Sequence, residues 1–583
     1  MSDPNEKKTF KTFADLARQL RGGEPEDLQQ EEEAPPPAAD SGEDADSEDG
    51  LSLRERIQSA LPAFGPMDSG PPCYRDENSE EMELLASFRV RTVFPEEVLA
   101  EVASLPQDPD PSDYADRVDL RAERIFTIDG DDAKDYDDAI QIRRLPSGDI
   151  EVGVHIADVS HYVRPGTQLD MEASTRATSI YVPDQVVPML PEALSNHLCS
   201  LVPNRDRLAF SVLMVFDSAG TRLSKRVHKS VIRSNFRCTY KNVQKLLDGV
   251  ADADTERLAP IRQDLFLFQD WTKTQQTLRD RAGSLRMQSS ERKFEFDKDH
   301  EVKRIYPSEP LFSQALIEET ALAANQAVGD IFKEMKLPTI YRIHPRKDPE
   351  EIAGVVEMLA KCGIRVPDKD FLTGRDVGRL IREARRRQNS EALIARIMGL
   401  VERAVYEVAN AEDTAEHWGL AREHYLHFTS PIRRYPDLIV HRWLHEVCSG
   451  GREAEGRLLE PERVADLVDV AGHSSLQADL ASMVESAISD LKVCQYMDRY
   501  RGQELRSTIQ RVAPYGLEVF LSEHWVTGFI PAKSLEGRTK VDGPKMTVQS
   551  RRGSRVLEEG GPVKVRVKDV DFVRLQVILE LIP

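Results

Sequence analysis

The sequence predicts an α+β fold: a mixed sheet surrounded by helices, followed by a small β-barrel and preceded by a disordered region. Three observations predict it. β-Branched and aromatic runs dominate residues 124–217, helical periodicity takes over from about Tyr240 to Asp498, and the last segment, from about residue 503, returns to short strands with Gly and Pro turns. The 583 residues suffice for several domains and a large core, with 40% hydrophobic and 31% charged residues.

Taken in order, the N-terminal residues 1–83 read as an acidic, mostly disordered region, with a short helix near Phe10–Leu20. Twelve acids and no Lys or Arg lie between Glu24 and Asp49, which supplies more than half of the net charge of −22. With a proline run and no aromatic residue, that stretch cannot bury enough surface to offset the entropy of ordering. Global acidity is therefore poor evidence against a nucleic-acid partner, and the region reads as a candidate interaction tail. Residues 84–120 read as a helical lead-in, with FPEEVLAEVASLP (94–106) as an amphipathic helix. RIFTID (124–129), DAIQIRRL (138–145), IEVGVHIA (150–157) and LAFSVLMVFD (208–217) read as strands, the second and third joined by the turn PSGD. Helices are expected at 314–335 and in the arginine-rich segment 375–388, and a loop at GGREAEG (450–456). The six cysteines never approach CxxC spacing, which excludes a thiolate zinc site and suits a reducing, cytoplasmic setting. No apolar run approaches about 18 residues, and the start lacks a signal-peptide core, so no membrane association is expected.

The sharpest local feature is Asp129-Gly-Asp-Asp-Ala-Lys-Asp135-Tyr-Asp137-Asp138, a carboxylate-rich loop between two apolar strands. Carboxylates about 4 Å apart repel by several kcal/mol at an effective dielectric near 20. Either the loop is splayed into water or a divalent cation neutralises it, and magnesium suits an all-oxygen donor set. The spacing does not fit an EF-hand, because Ala133 and Lys134 interrupt it. An aspartyl phosphatase is a partial match only.

These residues, with GVHIADVSHYVRPGTQLD (153–170), YVPDQVVPMLPEALSNHLCSLVPNRDRLAFSV (181–212), KFEFDKDHEVKRI (293–305), LIEETALAAN (316–325), YRIHPRKDPEEI (341–352) and WGLAREHYLHFTSPIRRYPDLIVHRWL (418–444), resemble the RNB catalytic domain of the RNase II/RNase R exoribonucleases, in the family's order. The resemblance implies an RNB domain over 121–500. It also implies magnesium as cofactor, two ions in the catalytic state with manganese as a substitute, and no nucleotide cofactor. Asp129, Asp135 and Asp138 would be metal ligands, and Asp137 would be essential for the chemical step. The implied reaction is processive 3′→5′ hydrolysis of single-stranded RNA to nucleoside 5′-monophosphates, in RNA decay or processing.

In TSPIRRYPD (429–437), Thr429 or Ser430 could cap a helix that begins near Ser430 or near Tyr435, with Arg433 and Arg434 at its entry. Arginine can fork onto phosphate oxygens, and the resemblance implies that Arg433 contacts the scissile phosphate, with Arg434 beside it on the RNA. It also implies stacking by Tyr181, a second stacking aromatic for which Phe294 and Phe296 are candidates, and Glu485 near the nucleotide path. Arg379, Arg382 and Arg386 share one helical face, read as solvated surface.

The C-terminal stretch 503–583 is similar to an S1 RNA-binding domain, an OB-fold barrel, with Tyr515, Phe520 and Phe529 as surface aromatics. Glu518 stands where the family commonly has an aromatic, and Lys533, Arg538, Lys540, Lys545, Arg551 and Arg552 could compensate. Residues 1–83 are too short and strand-poor to supply the two cold-shock domains that usually precede the family's catalytic motif. The alternative function is a catalytically silent RNA-binding protein on the same scaffold, against which the retention of all four aspartates and Arg433 argues.

Overall fold

The computed structural model describes Tyr74 and residues 79–582, apart from 286–290, 348, 368–371, 388–389, 411–412, 414 and 551–552. The expected disorder and the Phe10–Leu20 helix lie outside the described residues except at their C-terminal end, where the boundary moves. Tyr74 is buried, and Ser79–Ser87 is a helix whose Leu85 and Phe88 are fully buried. These side chains pack on Ile180, Val182 and Val187 and on Val484 and Ile488 of the long helix Pro461–Asp498.

The central sheet contains β1 (Val118–Asp119), β2 (Ile125–Asp129), β3 (Asp138–Arg144), β4 (Ile150–Ala157), β7 (Asp206–Phe216) and β8 (Arg222–Thr239). The small hairpin β5 (Ile180–Tyr181) and β6 (Val186–Val187) lies outside it. The spatial order is β1-β8-β2-β3-β4-β7, and β8 also pairs with β7. β8 runs antiparallel to β7 from Arg222 to Arg233, then parallel to β2 from Ser234 to Thr239, so the sheet curls back on itself. β2, β3 and β4 present Phe126, Ile140, Val154 and Ile156 to a core shared with the helices Arg262–Ala282 and Phe312–Glu334. The fold is thus a mixed sheet covered by helices, as the class predicts.

Two expectations change. β8 is not among the strands the sequence predicts, because RLSKRVHKSVIRSNFRCT carries six Lys or Arg at irregular spacing and looks solvated without its partners. Residues 450–456 are not a loop but part of the helix Tyr435–Leu458. Glycine costs about 1 kcal/mol per position in a helix, which the good helix formers around the pair and the buried Leu458 outweigh.

The S1-like region is a closed five-stranded barrel of the strands Glu504–Ala513, Gly516–Leu521, Val526–Pro531, Gln576–Leu581 and Pro562–Asp571. A separate three-stranded sheet, Arg538–Asp542, Lys545–Ser550 and Gly553–Glu558, is inserted between the barrel strands Val526–Pro531 and Pro562–Asp571. The barrel core continues into Val493, Met497, Val302 and Ile305, which seats the barrel on the end of the long helix and on a hairpin, β9 (Arg292–Phe296) and β10 (Val302–Pro307).

The revised N-terminal boundary is testable. Beginning the chain at residue 84 removes Tyr74 and Glu81, and Glu81 is an ion-pair partner of the buried Lys492. Breaking a buried ion pair costs about 3–5 kcal/mol, so calorimetry should show a clear fall in thermal midpoint relative to the full chain.

Candidate active site

The backbone of the carboxylate loop is held by amide, hydroxyl and guanidinium donors from its neighbours. Tyr136 N–H donates to Ser200 Oγ at 2.9 Å, Leu201 N–H to the Tyr136 carbonyl at 3.0 Å, and Ser200 Oγ to the Lys134 carbonyl at 2.7 Å. Ala157 N–H donates to the Asp137 carbonyl at 2.9 Å, and Arg237 Nη2 donates to the carbonyls of Gly130 and Asp131. The loop therefore lies between the end of β4, the end of β8 and the HLCSLVP segment, with little freedom to splay. Asp131 pairs with Lys241 at 2.5 Å and Asp132 is exposed, which leaves both turned to the surface.

The other four aspartates face inward. Asp129 ends β2 and Asp138 begins β3; these antiparallel neighbours bring both ends of the loop together. Burial, and after it the charge of Asp138, raises the proton affinity of Asp129, and burial likewise raises that of Asp138, against which Arg433 acts. Burial pushes Asp137 well above the ordinary carboxylate range, with Arg433 and the Ile432 amide opposing and Asp135 and Asp138 reinforcing. Asp129 Oδ2 is buried without a hydrogen-bond partner. In the arrangement the structure shows, no group of three or more His, Cys, Asp or Glu side chains among the described residues is placed to hold a metal ion. The donor set is nonetheless all oxygen, crowded and short of positive charge, and a hard divalent cation would relieve it.

The opposing wall is the segment 429–434. Ile432 N–H donates to Asp137 Oδ1 at 2.9 Å, and Arg433 Nε lies 3.6 Å from Asp137 Oδ2. The Arg433 carbonyl accepts from Ser179 N–H at 3.0 Å and from Thr178 Oγ1 at 3.3 Å, and Thr178 bridges to Arg434. Neither Thr429 nor Ser430 caps a helix. Ser430–Arg434 is a turn, the helix starts at Tyr435, and Pro436 occupies its first turn, where a missing N–H costs nothing.

The two arginines have different fates. Arg433 is 40% exposed and faces the carboxylates. Arg434 turns inward and forks onto the fully buried Asp437, with both contacts at 2.9 Å, while Asp437 Oδ1 also accepts from Ser430 N–H. Arg434 is thus removed from the expected RNA contacts: its donors hold the turn that presents Arg433.

Tyr181 joins the site from β5. Its hydroxyl donates to Asp135 Oδ2 at 3.1 Å, its N–H donates to Glu485 Oε1 at 2.8 Å, and its side chain is 39% exposed. Burial of the phenol end, then the Asp135 charge, raises its pKa. Burial also raises that of Glu485. Tyr240, which no sequence motif singles out, stands close enough to the cluster that Asp138 and Asp129 add to the effect of burial in raising its pKa. Its only sequence signal was its place at the junction of a strand and a helix.

Phe294 and Phe296 do not join this cluster. They stack on each other at 6.2 Å and pack against the barrel core, with Lys492 Nζ 5.4 Å from the Phe296 ring. On the barrel, Tyr515 is exposed and lies 6.0 Å from Phe529, whose ring covers Gly516, where a Cβ would fall 2.6 Å from it. Glu518 is cross-strand from Phe529 on one side and from Arg511 on the other, and pairs with Arg511 at 3.4 Å. Its negative charge is thereby partly answered within the same face. Phe520 packs edge-on against Trp525 at 4.9 Å. Lys533, Arg538, Lys540 and Lys545 lie within the described residues; Arg551 and Arg552 do not.

Comparison with known proteins agrees with this architecture. The RNB domain model matches residues 117–450 and the S1 RNA binding domain model residues 501–582. Ribonuclease R 2 of Lactococcus lactis subsp. lactis is 34% identical over 497 residues, covering 83% of this chain and 72% of that protein. Ribonuclease R of Thermotoga maritima is 34% identical over 497 residues, covering 84% and 68%. The structure of Mycoplasma genitalium RNase R in complex with ribose methylated single-stranded RNA has a TM-score of 0.73 at 24% identity, over 87% of this chain and 78% of that one, which is a likeness of fold. Yeast Ssd1, described as a pseudonuclease, has a TM-score of 0.58 at 17% identity, over 81% of this chain and 58% of that one, so the fold alone does not fix activity. With the family model covering more than half its length and relatives matched over most of theirs, the chain belongs to the ribonuclease R family of RNB-domain exoribonucleases.

Proposed function

We propose that this chain hydrolyses single-stranded RNA from the 3′ end, processively and with magnesium, releasing nucleoside 5′-monophosphates in cytoplasmic RNA decay or processing. The observation that carries this is the meeting of four inward aspartates with Arg433 around the Ile432–Asp137 hydrogen bond. Asp129, Asp135 and Asp138 would hold the metal, which when bound supplies Lewis-acid charge and an activated water. Arg433, exposed and held at its carbonyl by Ser179, stabilises charge on the phosphate oxygens. Asp137 is kept in one orientation by the Ile432 amide, and its charge is what the reaction draws on. Tyr181 offers an exposed ring to the terminal bases while its hydroxyl and amide are fixed by Asp135 and Glu485. The exposed Tyr515 and the half-buried Phe529 beside it suit a grip on the incoming strand. The thiols of Cys199, Cys238, Cys362, Cys448 and Cys494 are free, which supports a reducing compartment.

Five measurements test the reading. Nucleotide release from a 3′-labelled RNA should stop with EDTA and resume when magnesium is restored. Asp137→Asn retains an acceptor for the Ile432 amide but not the charge, so hydrolysis should vanish while RNA binding in a filter assay changes by no more than a few-fold; substantial turnover in this variant would refute the assignment. Arg433→Ala should lower kcat by about 10²- to 10³-fold with a small change in thermal midpoint. Arg434→Ala should instead cost about 3–5 kcal/mol of stability, because it strands the buried Asp437. Tyr181→Ala should remove about 1–3 kcal/mol per stacked base, or about 5- to 150-fold in retention of short ends, and a denaturing gel should show a longer limit product.

A further inference from the structure

Lys492 is only 3% exposed, although its side chain is a cation. It pairs with Glu81 from the N-terminal helix and with Asp184 Oδ2 at 3.5 Å, and both carboxylates are themselves buried. Glu81 is further held by the Tyr74 hydroxyl, which donates to its Oε2 at 2.7 Å. Asp184 Oδ1 is buried with no hydrogen-bond partner, so the ammonium is what holds this carboxylate. Burying one ammonium with two carboxylates is a costly arrangement that apolar packing could replace, which makes a role beyond stability worth asking for.

Asp184 sits in the turn that joins β5 to β6, three residues after Tyr181, and the Val182 N–H to Gln185 carbonyl bond closes that turn. Glu485 and Lys492 are seven residues apart on the helix Pro461–Asp498, two turns along one face. One helix therefore grips the hairpin twice: Glu485 at the Tyr181 amide and Lys492 at the Asp184 carboxylate. The Ser179 and Thr178 bonds to the Arg433 carbonyl and the packing of Ile180, Val182 and Val187 hold the base of the hairpin, and these two grips hold its tip, where the Tyr181 ring leaves the strand. The Tyr181 hydroxyl must reach Asp135 from that strand, so a pivot would carry the ring off the terminal bases. Glu81 neutralises part of the ammonium's charge and ties the N-terminal helix to the same point.

We propose that Lys492 is a positioning residue for the nucleotide clamp: its ammonium, shared by Glu81 and Asp184, fixes the β5–β6 turn and thereby the place of the Tyr181 ring. This rests on the reading of Tyr181 as the clamp. Lys492 contacts no substrate; it acts through the turn.

The test is a double-mutant cycle on the full chain, read as dissociation of a short oligoribonucleotide, limit-product length, and kcat on long RNA. Lys492→Met should weaken retention of the short RNA by about 3- to 10-fold and lengthen the limit product, with kcat on long RNA unchanged. Asp184→Ala should do the same, and it leaves Lys492 paired one to one with Glu81, so it decides the matter if Lys492→Met fails to fold. Added to Tyr181→Ala, neither change should cause further loss, because the ring they position is gone. Losses that add in the double variants, or wild-type retention in Asp184→Ala, would overturn the proposal. Wild-type retention in Tyr181→Ala would instead sink the clamp itself, and this role for Lys492 with it.

Discussion

The hydrogen bond from the Ile432 amide to Asp137 Oδ1 joins two segments 295 residues apart, and much of the site depends on it. It places a donor against the most deeply buried of the four aspartates and brings Arg433 alongside. Behind it, Asp437 gathers the Ser430 amide and the Arg434 guanidinium, so the turn that carries Ile432 and Arg433 is rigid. In front of it, the Ser179 amide and Thr178 hydroxyl take the Arg433 carbonyl and anchor the hairpin that carries Tyr181. One amide thus links the acidic loop, the basic turn and the aromatic strand.

Its setting is electrostatically unfavourable by itself. Four carboxylates crowd between β2 and β3, with Arg433 acting on Asp137 and Arg237 on Asp129, and burial strengthens the repulsion. The surrounding structure sustains this with few charges: Ser200 and the HLCSLVP backbone hold the loop through neutral bonds, and Arg237, whose charge acts on Asp129, spends its hydrogen bonds on the loop carbonyls. Such a site keeps its charge deficit for a ligand that brings positive charge, which is the physical reason for reading it as a metal-dependent phosphodiester site.

The long helix Pro461–Asp498 organises the remainder. Its middle holds the Tyr181 hairpin and the N-terminal helix, and its end seats the barrel together with the hairpin β9–β10. That placement explains why Phe294 and Phe296, plausible stacking residues as letters in a sequence, serve as packing between the catalytic part and the barrel. Residues at such a junction are apolar because they are covered, and a sequence does not say what covers them.

By itself the sequence determined the strands β2, β3, β4 and β7, the helix around 314–335, the helix Gly374–Ala384 within the arginine-rich segment, and the C-terminal barrel, because alternation and helical periodicity record which face of an element is buried. It also determined the acidic loop, since six carboxylates between two apolar strands have few structural uses. Only the tertiary structure decided the rest. β8 is cationic and becomes a strand by pairing with β7 and β2 at once; residues 450–456 stay helical because the turns on either side are packed; Tyr74 and the helix from Ser79 are ordered by a core they share with the long helix. The adjacent Arg433 and Arg434 are chemically identical, and they part only because Asp437 is buried on one side of the turn and Asp137 on the other. Contacts between residues hundreds of positions apart carry no local pattern, so their outcome is set by packing and by which charges the fold leaves without a partner.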